Sequence, residues 1–102
     1  GASNTAVGKD SMLANTTGSN NVAVGTGALD ANTSANYNTS VGERSMSANT
    51  TGANNVAVGS QALLANTTAA NNTAVGYSAL TANTTGAQNT VLVTQHLVML
   101  LC

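Results

Sequence analysis

The chain of 102 residues has no phenylalanine, tryptophan or proline, a single cysteine, and only 5% charged residues. Without large aromatic side chains a conventional core lacks its usual filling, and the 42% hydrophobic content is mostly alanine and valine. Low hydrophobicity combined with high charge signals disorder; charge is scarce here, so order must come from another source. A net charge of −1 with no basic stripe argues against nucleic acid and acidic membrane surfaces as partners. One cysteine gives no disulfide framework. The apolar run from Val91 is about a dozen residues, short of the roughly 20 that span a bilayer, so no membrane insertion is expected. The opening GASNTAVG has neither Met nor a signal peptide, which reads as a piece of a longer protein.

What the chain does have is a repeat of seventeen residues. Val-Gly recurs at Val7-Gly8, Val24-Gly25, Val41-Gly42, Val58-Gly59 and Val75-Gly76 without slippage. Four residues after each Gly comes Met12, Leu29, Met46, Leu63 or Leu80. Asn15, Asn32, Asn49, Asn66 and Asn83 follow, each before Thr-Thr or Thr-Ser. A strict period of this length suits stacked coils in which equivalent side chains lie about 4.8 Å apart along the axis. Each set of residues seventeen apart is then one column of the stack.

Within a coil, N-(T/V)-A-V-G alternates as a strand does. The larger apolar residues assign Val22 and Val24 to the interior and Ala23 to the exterior. A second short strand, (A/S)-(L/M)-x-A, is expected to turn Leu29 and Ala31 inward and Asp30 outward. The invariant Gly of Val-Gly calls for positive φ or a close approach that a Cβ would block. The Gly after Asn-Thr-Thr is replaced by Ala35 and Ala69, so that corner does not demand positive φ. Asn in every coil at the corner is expected to form a hydrogen-bonded ladder. The small column Ala6, Ala23, Ser40, Ala57 and Ala74, read as outward, would let neighbouring chains approach closely.

Segments such as NNVAVGTGALDANTS and NNTAVGYSALTANTTG resemble the head repeats of trimeric autotransporter adhesins (the YadA-like family), and still more the related repeats of bacteriophage tail fibres. The resemblance covers residues 1–90. It implies an all-β, left-handed parallel β-roll or β-helix solenoid with 17-residue coils, assembled as a homotrimer. The family's usual coil is a few residues shorter, with Ala-Gly where this chain has Asn-Thr-Thr-Gly, which leaves both a roll and a triangular β-helix open. The implied function is structural: a segment of an extracellular attachment fibre, in a phage tail fibre or on a bacterial cell surface as an adhesin head. The partners implied are two further copies of the chain and a host cell-surface glycan or protein.

Residues 1–90 are thus expected to form five repeats plus a partial coil, with an atypical tail at 91–102. The next Val-Gly is due at 92 and 93, where Leu92 and Val93 stand. With synonymous codons chosen to favour it, restoring one base near codon 91 converts NTVLVTQHLVMLLC into NTAVGHTALGHAAL, which returns the consensus to its columns. The tail is therefore read as a frameshift product, with an evolved hydrophobic end cap as the alternative, since solenoids need atypical ends. The coding DNA decides between them.

No constellation for catalysis is visible, and neither enzymatic activity nor a cofactor is expected. Lys9, Asp10, Asp30, Glu43 and Arg44 are the charged residues, and four of them occupy the two variable columns after Val-Gly, as solvated turn residues. His96 and Cys102 are solitary ligand types in the tail, which points away from a metal site. Tyr37 and Tyr77 are candidates for glycan or receptor contact, or simply exposed turn residues. Asn-Thr-Thr matches the N-glycosylation pattern, and is more simply the repeated corner. An ice-binding solenoid is the rival reading, because ranks of Thr at strand spacing can order water. Against it, Thr16 and Thr17 are adjacent and on a strand would face opposite ways.

Overall fold

The computed structural model describes residues 1–93 and 98–101 of the chain. It is an all-β parallel solenoid with one three-residue strand per coil through the first five coils: β1 Thr5–Val7, β2 Val22–Val24, β3 Thr39–Val41, β4 Val56–Val58 and β5 Thr73–Val75. β6 Thr90–Val93 and β7 Val98–Leu101 follow. The seven strands form one sheet in chain order. Each step from β1 to β6 is parallel and advances by one repeat, as in Thr5 opposite Val22, Ala6 opposite Ala23 and Val7 opposite Val24. The strict period thus becomes strict register. The stack ends differently, because β7 runs antiparallel to β6, with Val93 opposite Val98 and Thr90 opposite Leu101. In the tail, residues 94–97 and 102, with His96 and Cys102 among them, lie outside the described residues.

The strand faces the opposite way from the sequence expectation. Ala23, Ser40, Ala57 and Ala74 are fully buried, whereas Val7 is 57% exposed, Val22 36% and Val58 37%. Alternation fixes that neighbours point to opposite faces, but it does not say which face is inside. The volume of the coil decides. Each coil already encloses a Leu or Met, a second Ala or Ser and two asparagines, all at or near zero exposure in the central coils. The strand can add only a methyl or hydroxymethyl group, since extra methylenes in a filled interior cost roughly 1–3 kcal/mol. The valines go outside, where a pleated surface suits β-branched side chains. The small column is therefore core, and it offers no close approach between chains.

The expected second strand is a turn. Met12, Leu29, Met46, Leu63 and Leu80 have φ between 51° and 53°, in the left-handed region that bulky residues rarely enter. That conformation breaks the alternation, so Ala28 and Leu29 are both fully buried although adjacent. Ala31 is half-buried instead of sharing the inward face with Leu29, and Asp30 is half-buried as well. What holds these residues in place is the next coil. The N–H of Leu29 donates to the Ser45 carbonyl at 3.0 Å, and that of Met46 to the Ala62 carbonyl at 2.9 Å. Burying the Leu or Met of the coil while pairing its backbone outweighs a cost of about 1–2 kcal/mol for the left-handed conformation.

The Val-Gly glycines need both freedoms that the sequence pointed to. Gly25, Gly42 and Gly59 have φ of 131–133°. A Cβ on Gly42 would lie 2.6 Å from the carbonyl carbon and oxygen of Gly59. The N–H of Gly42 donates to the Val24 carbonyl at 2.7 Å, so the coils close on one another there with no room for a side chain.

Candidate functional site

Two ranks of buried asparagine run the length of the stack. In the expected one, Nδ2 of Asn32, Asn49, Asn66 and Asn83 donates to Oδ1 of the equivalent Asn one coil earlier, at 2.9, 3.2, 2.9 and 3.0 Å. The second hydrogen of each amide goes to the carbonyl three residues on: Ala35 from Asn32, Gly52 from Asn49, Ala69 from Asn66 and Gly86 from Asn83. Asn15 makes the same local bond to Gly18 at 3.0 Å.

The second rank, Asn4, Asn21, Asn38, Asn55, Asn72 and Asn89, was legible as a consensus Asn but was not assigned a role from sequence. Its Oδ1 accepts the backbone N–H of the next member, at 2.9 Å in every step. Its Nδ2 reaches the corner carbonyl of the following coil, for example Asn38 to Gly52 at 2.8 Å and Asn55 to Ala69 at 2.9 Å. Each such carbonyl therefore accepts from both ranks. In a chain with so few large apolar groups, saturated polar ladders in the interior provide specificity and avoid the cost of stranded buried amides.

The Asn-Thr-Thr-Gly corner is tightened by the alternation of Gly18, Ala35, Gly52, Ala69 and Gly86. Where Gly is present, the N–H groups of Thr50, Thr51 and Gly52 converge on the Thr67 carbonyl at 3.0, 3.3 and 3.3 Å. In the coils with Ala, one N–H from the corner makes the equivalent bond, Thr33 to Thr50 at 3.2 Å and Thr67 to Thr84 at 3.3 Å. A Cβ on Gly52 would collide with the Ala69 carbonyl oxygen, so this second glycine is less free to change than its replacement by Ala in other coils implied. The hydroxyls of Thr16 and Thr50 also donate to the next coil's carbonyl, at 3.1 and 3.3 Å.

The outer face of the sheet is an uncharged surface of valine and threonine. It consists of two columns, Thr5, Val22, Thr39, Val56, Thr73 and Thr90 beside Val7, Val24, Val41, Val58, Val75 and Leu92. All but Leu92 are β-branched and so restricted in χ1, and none carries charge. Val7 is 57% and Leu92 50% exposed, while the valines between them are half-buried or exposed.

The charged residues do not converge. Lys9 and Asp10 form an exposed ion pair at 2.9 Å, and the hydrogen bond to Asp10 together with its charge raises the Lys9 ammonium above its ordinary value. Glu43 accepts a hydrogen bond from Ser60 at 3.4 Å. Asp30 keeps one buried carboxylate oxygen with no partner among the described residues. Tyr37 and Tyr77 are exposed at 62% and 68%, on the turns before β3 and after β5. Among the described residues no group of three His, Cys, Asp or Glu could hold a metal ion, and no helix is long and apolar enough to cross a membrane. In comparisons with known proteins, no family model matches the chain, nor does any curated protein or solved structure show significant similarity to it.

Proposed function

We propose that the chain is a structural segment of an extracellular trimeric attachment fibre, a phage tail fibre in the first instance and a bacterial adhesin head in the second. The observation that carries this reading is the uncharged Thr and Val face, which runs along every coil and remains solvated in a single chain. Apolar burial between copies, at about 25 cal/mol per Å², is the gain that association offers along the whole rod. Three-fold closure follows from the resemblance to adhesin and tail-fibre repeats. The segment's role is mechanical, holding a host-binding tip away from a surface, with Tyr37 and Tyr77 as the places to seek contact with a host glycan or protein.

Sedimentation equilibrium of the wild type and of a V41K/V58K variant tests the assignment. Both positions point outward, so the variant is expected to keep its β circular dichroism and to dissociate from trimer to monomer. A monomeric wild type, or a variant that remains trimeric, refutes it. Ice binding is excluded or favoured by thermal hysteresis. The corner offers that rival little, because the hydroxyls of Thr16, Thr33, Thr50 and Thr67 are engaged with backbone carbonyls.

A further inference from the structure

On the corner just before the strands, Asn20, Asn54 and Asn71 have φ of 59°, 60° and 63°, and Tyr37 in the same column has 61°. Each is locked there by its N–H, which donates to a carbonyl of the preceding coil: Asn20 to Ala2 at 3.0 Å, Tyr37 to Ser19 at 3.2 Å and Asn54 to Asn36 at 3.2 Å. Asparagine suits this left-handed conformation, whereas a bulky side chain is an outlier in it. Leu29 and Met46 adopt it with full burial as the offsetting gain. Tyr37 is 62% exposed, so burial does not account for an aromatic residue on an asparagine rung. Strain retained at an exposed position points to a role outside the core.

The neighbouring rungs indicate what that role is. Asn20 and Asn54 are exposed and stand one coil before and one coil after Tyr37, each about 4.8 Å away along the axis. Their carboxamides have no partner among the described residues, since only their backbone N–H groups are engaged. Asn36, next to the tyrosine in sequence, is already committed, its Oδ1 accepting the Ser19 N–H at 2.7 Å. From the Asn-Thr-Thr corner to the end of the strand no coil carries a charged residue. The column also lies outside the two outer-face columns through which copies are proposed to associate. It offers an aromatic face between two groups that each donate and accept hydrogen bonds. Tyr77 lacks that setting, because Ser60 stands one coil before it.

We propose that Tyr37, with Asn20 and Asn54, is a binding subsite for an uncharged pyranose whose ring substituents are equatorial. The inference deepens the attachment reading, in which Tyr37 is a place of host contact. Equatorial substitution leaves axial C–H groups on the two ring faces, an apolar surface that stacks on the tyrosine. Hydroxyls at the edge of the ring both donate and accept, as the flanking carboxamides do. With no cation in that stretch of sequence, nothing there selects an acidic sugar.

The test titrates cellotetraose into the folded chain carrying isotope-labelled tyrosine and follows the two tyrosine rings by NMR, assigned with Tyr77→Phe. Shifts at Tyr37 with a dissociation constant on the order of 1 mM, and none at Tyr77, are expected. Tyr37→Asn keeps the fold, since Asn holds the same rung before β2, β4 and β5. It should melt at a higher temperature than the wild type and abolish saturation transfer from protein to sugar. Asn20→Ala combined with Asn54→Ala should weaken binding at least about fivefold. No shift at about ten times the expected constant, equal shifts at both tyrosines, or undiminished binding by Tyr37→Asn or by the double variant overturns the proposal. Sedimentation of the same sample separates it from the fibre assignment: a trimer that ignores the sugar refutes the subsite alone, and a monomer that binds it refutes the fibre alone.

Discussion

Replacing Asn49 by alanine tests the interior ladder at its centre. Asn49 donates to Asn32 Oδ1 at 3.2 Å and to the Gly52 carbonyl at 3.0 Å, and accepts from Asn66 Nδ2 at 2.9 Å. After the substitution the Gly52 carbonyl still receives Asn38, and Asn66 still reaches the Ala69 carbonyl. Asn32 Oδ1 loses its donor in a fully buried position. An orphaned acceptor costs about 1–3 kcal/mol and each of the two other bonds about 1 kcal/mol net, so the loss is about 4 kcal/mol. Asn83→Ala is the contrast. That side chain is half-buried, Asn66 Oδ1 retains a contact from Asn72 at 3.5 Å, and the Gly86 carbonyl retains Asn72 at 2.8 Å, which leaves about 1 kcal/mol. Urea unfolding followed by far-UV circular dichroism measures both. Equal losses at the two positions would show that the ladder is not what the interior depends on.

Other substitutions separate the remaining elements. Asn49→Asp places a carboxyl facing Asn32 Oδ1 and the Gly52 carbonyl, so burial raises its folded pKa above the unfolded value of about 3.9. Stability is then greatest below about pH 4 and falls as pH rises towards the folded pKa, which thermal melts across acidic pH will register. Ala57→Leu overfills the interior and should cost at least roughly 1–3 kcal/mol, whereas Val58→Thr on the outer face should cost under about 1 kcal/mol; chemical denaturation of the pair fails the core assignment if the order reverses. Gly42→Ala meets the Gly59 carbonyl and an unfavourable φ of 132°, and should cost more than about 3 kcal/mol. Gly27→Asn should be neutral to within about 1 kcal/mol, because Asp10 and Arg44 hold the same column at φ of 59° and 57°, and melting temperatures suffice to compare the two.

The features readable in advance were those set by translation along the axis. Seventeen-residue spacing is itself the register of β1 to β6, and an Asn in every coil at Asn15, Asn32 and onward has its equivalent as a neighbour whatever the coil's shape. The invariant glycine at Gly25 and Gly42 was readable because a position that never accepts a methyl group calls for positive φ or a close approach, and here it needs both. What the sequence left open lies in the cross-section. The triplet Val22, Ala23, Val24 alternates equally well with either face inward, and hydrophobicity favoured the wrong one because the interior is limited by volume. The left-handed Leu29 gave no signal, since leucine is a poor resident of that region and tertiary pairing holds it there. Asn21 and Asn38 carry no role in the sequence reading because their main partners, a backbone N–H one coil on and a corner carbonyl, are seventeen and fourteen residues distant.

The in-register pairing of β1 through β6 also constrains how such a gene can change. Adding or deleting one or two amino acids within a coil would put Asn opposite Thr and Gly opposite Val across that junction unless the coil bulges to absorb them, whereas a gain or loss of seventeen leaves each ladder with its proper rungs. Length is therefore adjustable in whole layers of about 4.8 Å, and recombination between neighbouring repeats supplies those increments without any new side-chain contact having to be found. Reach becomes a countable trait, inherited as a number of turns.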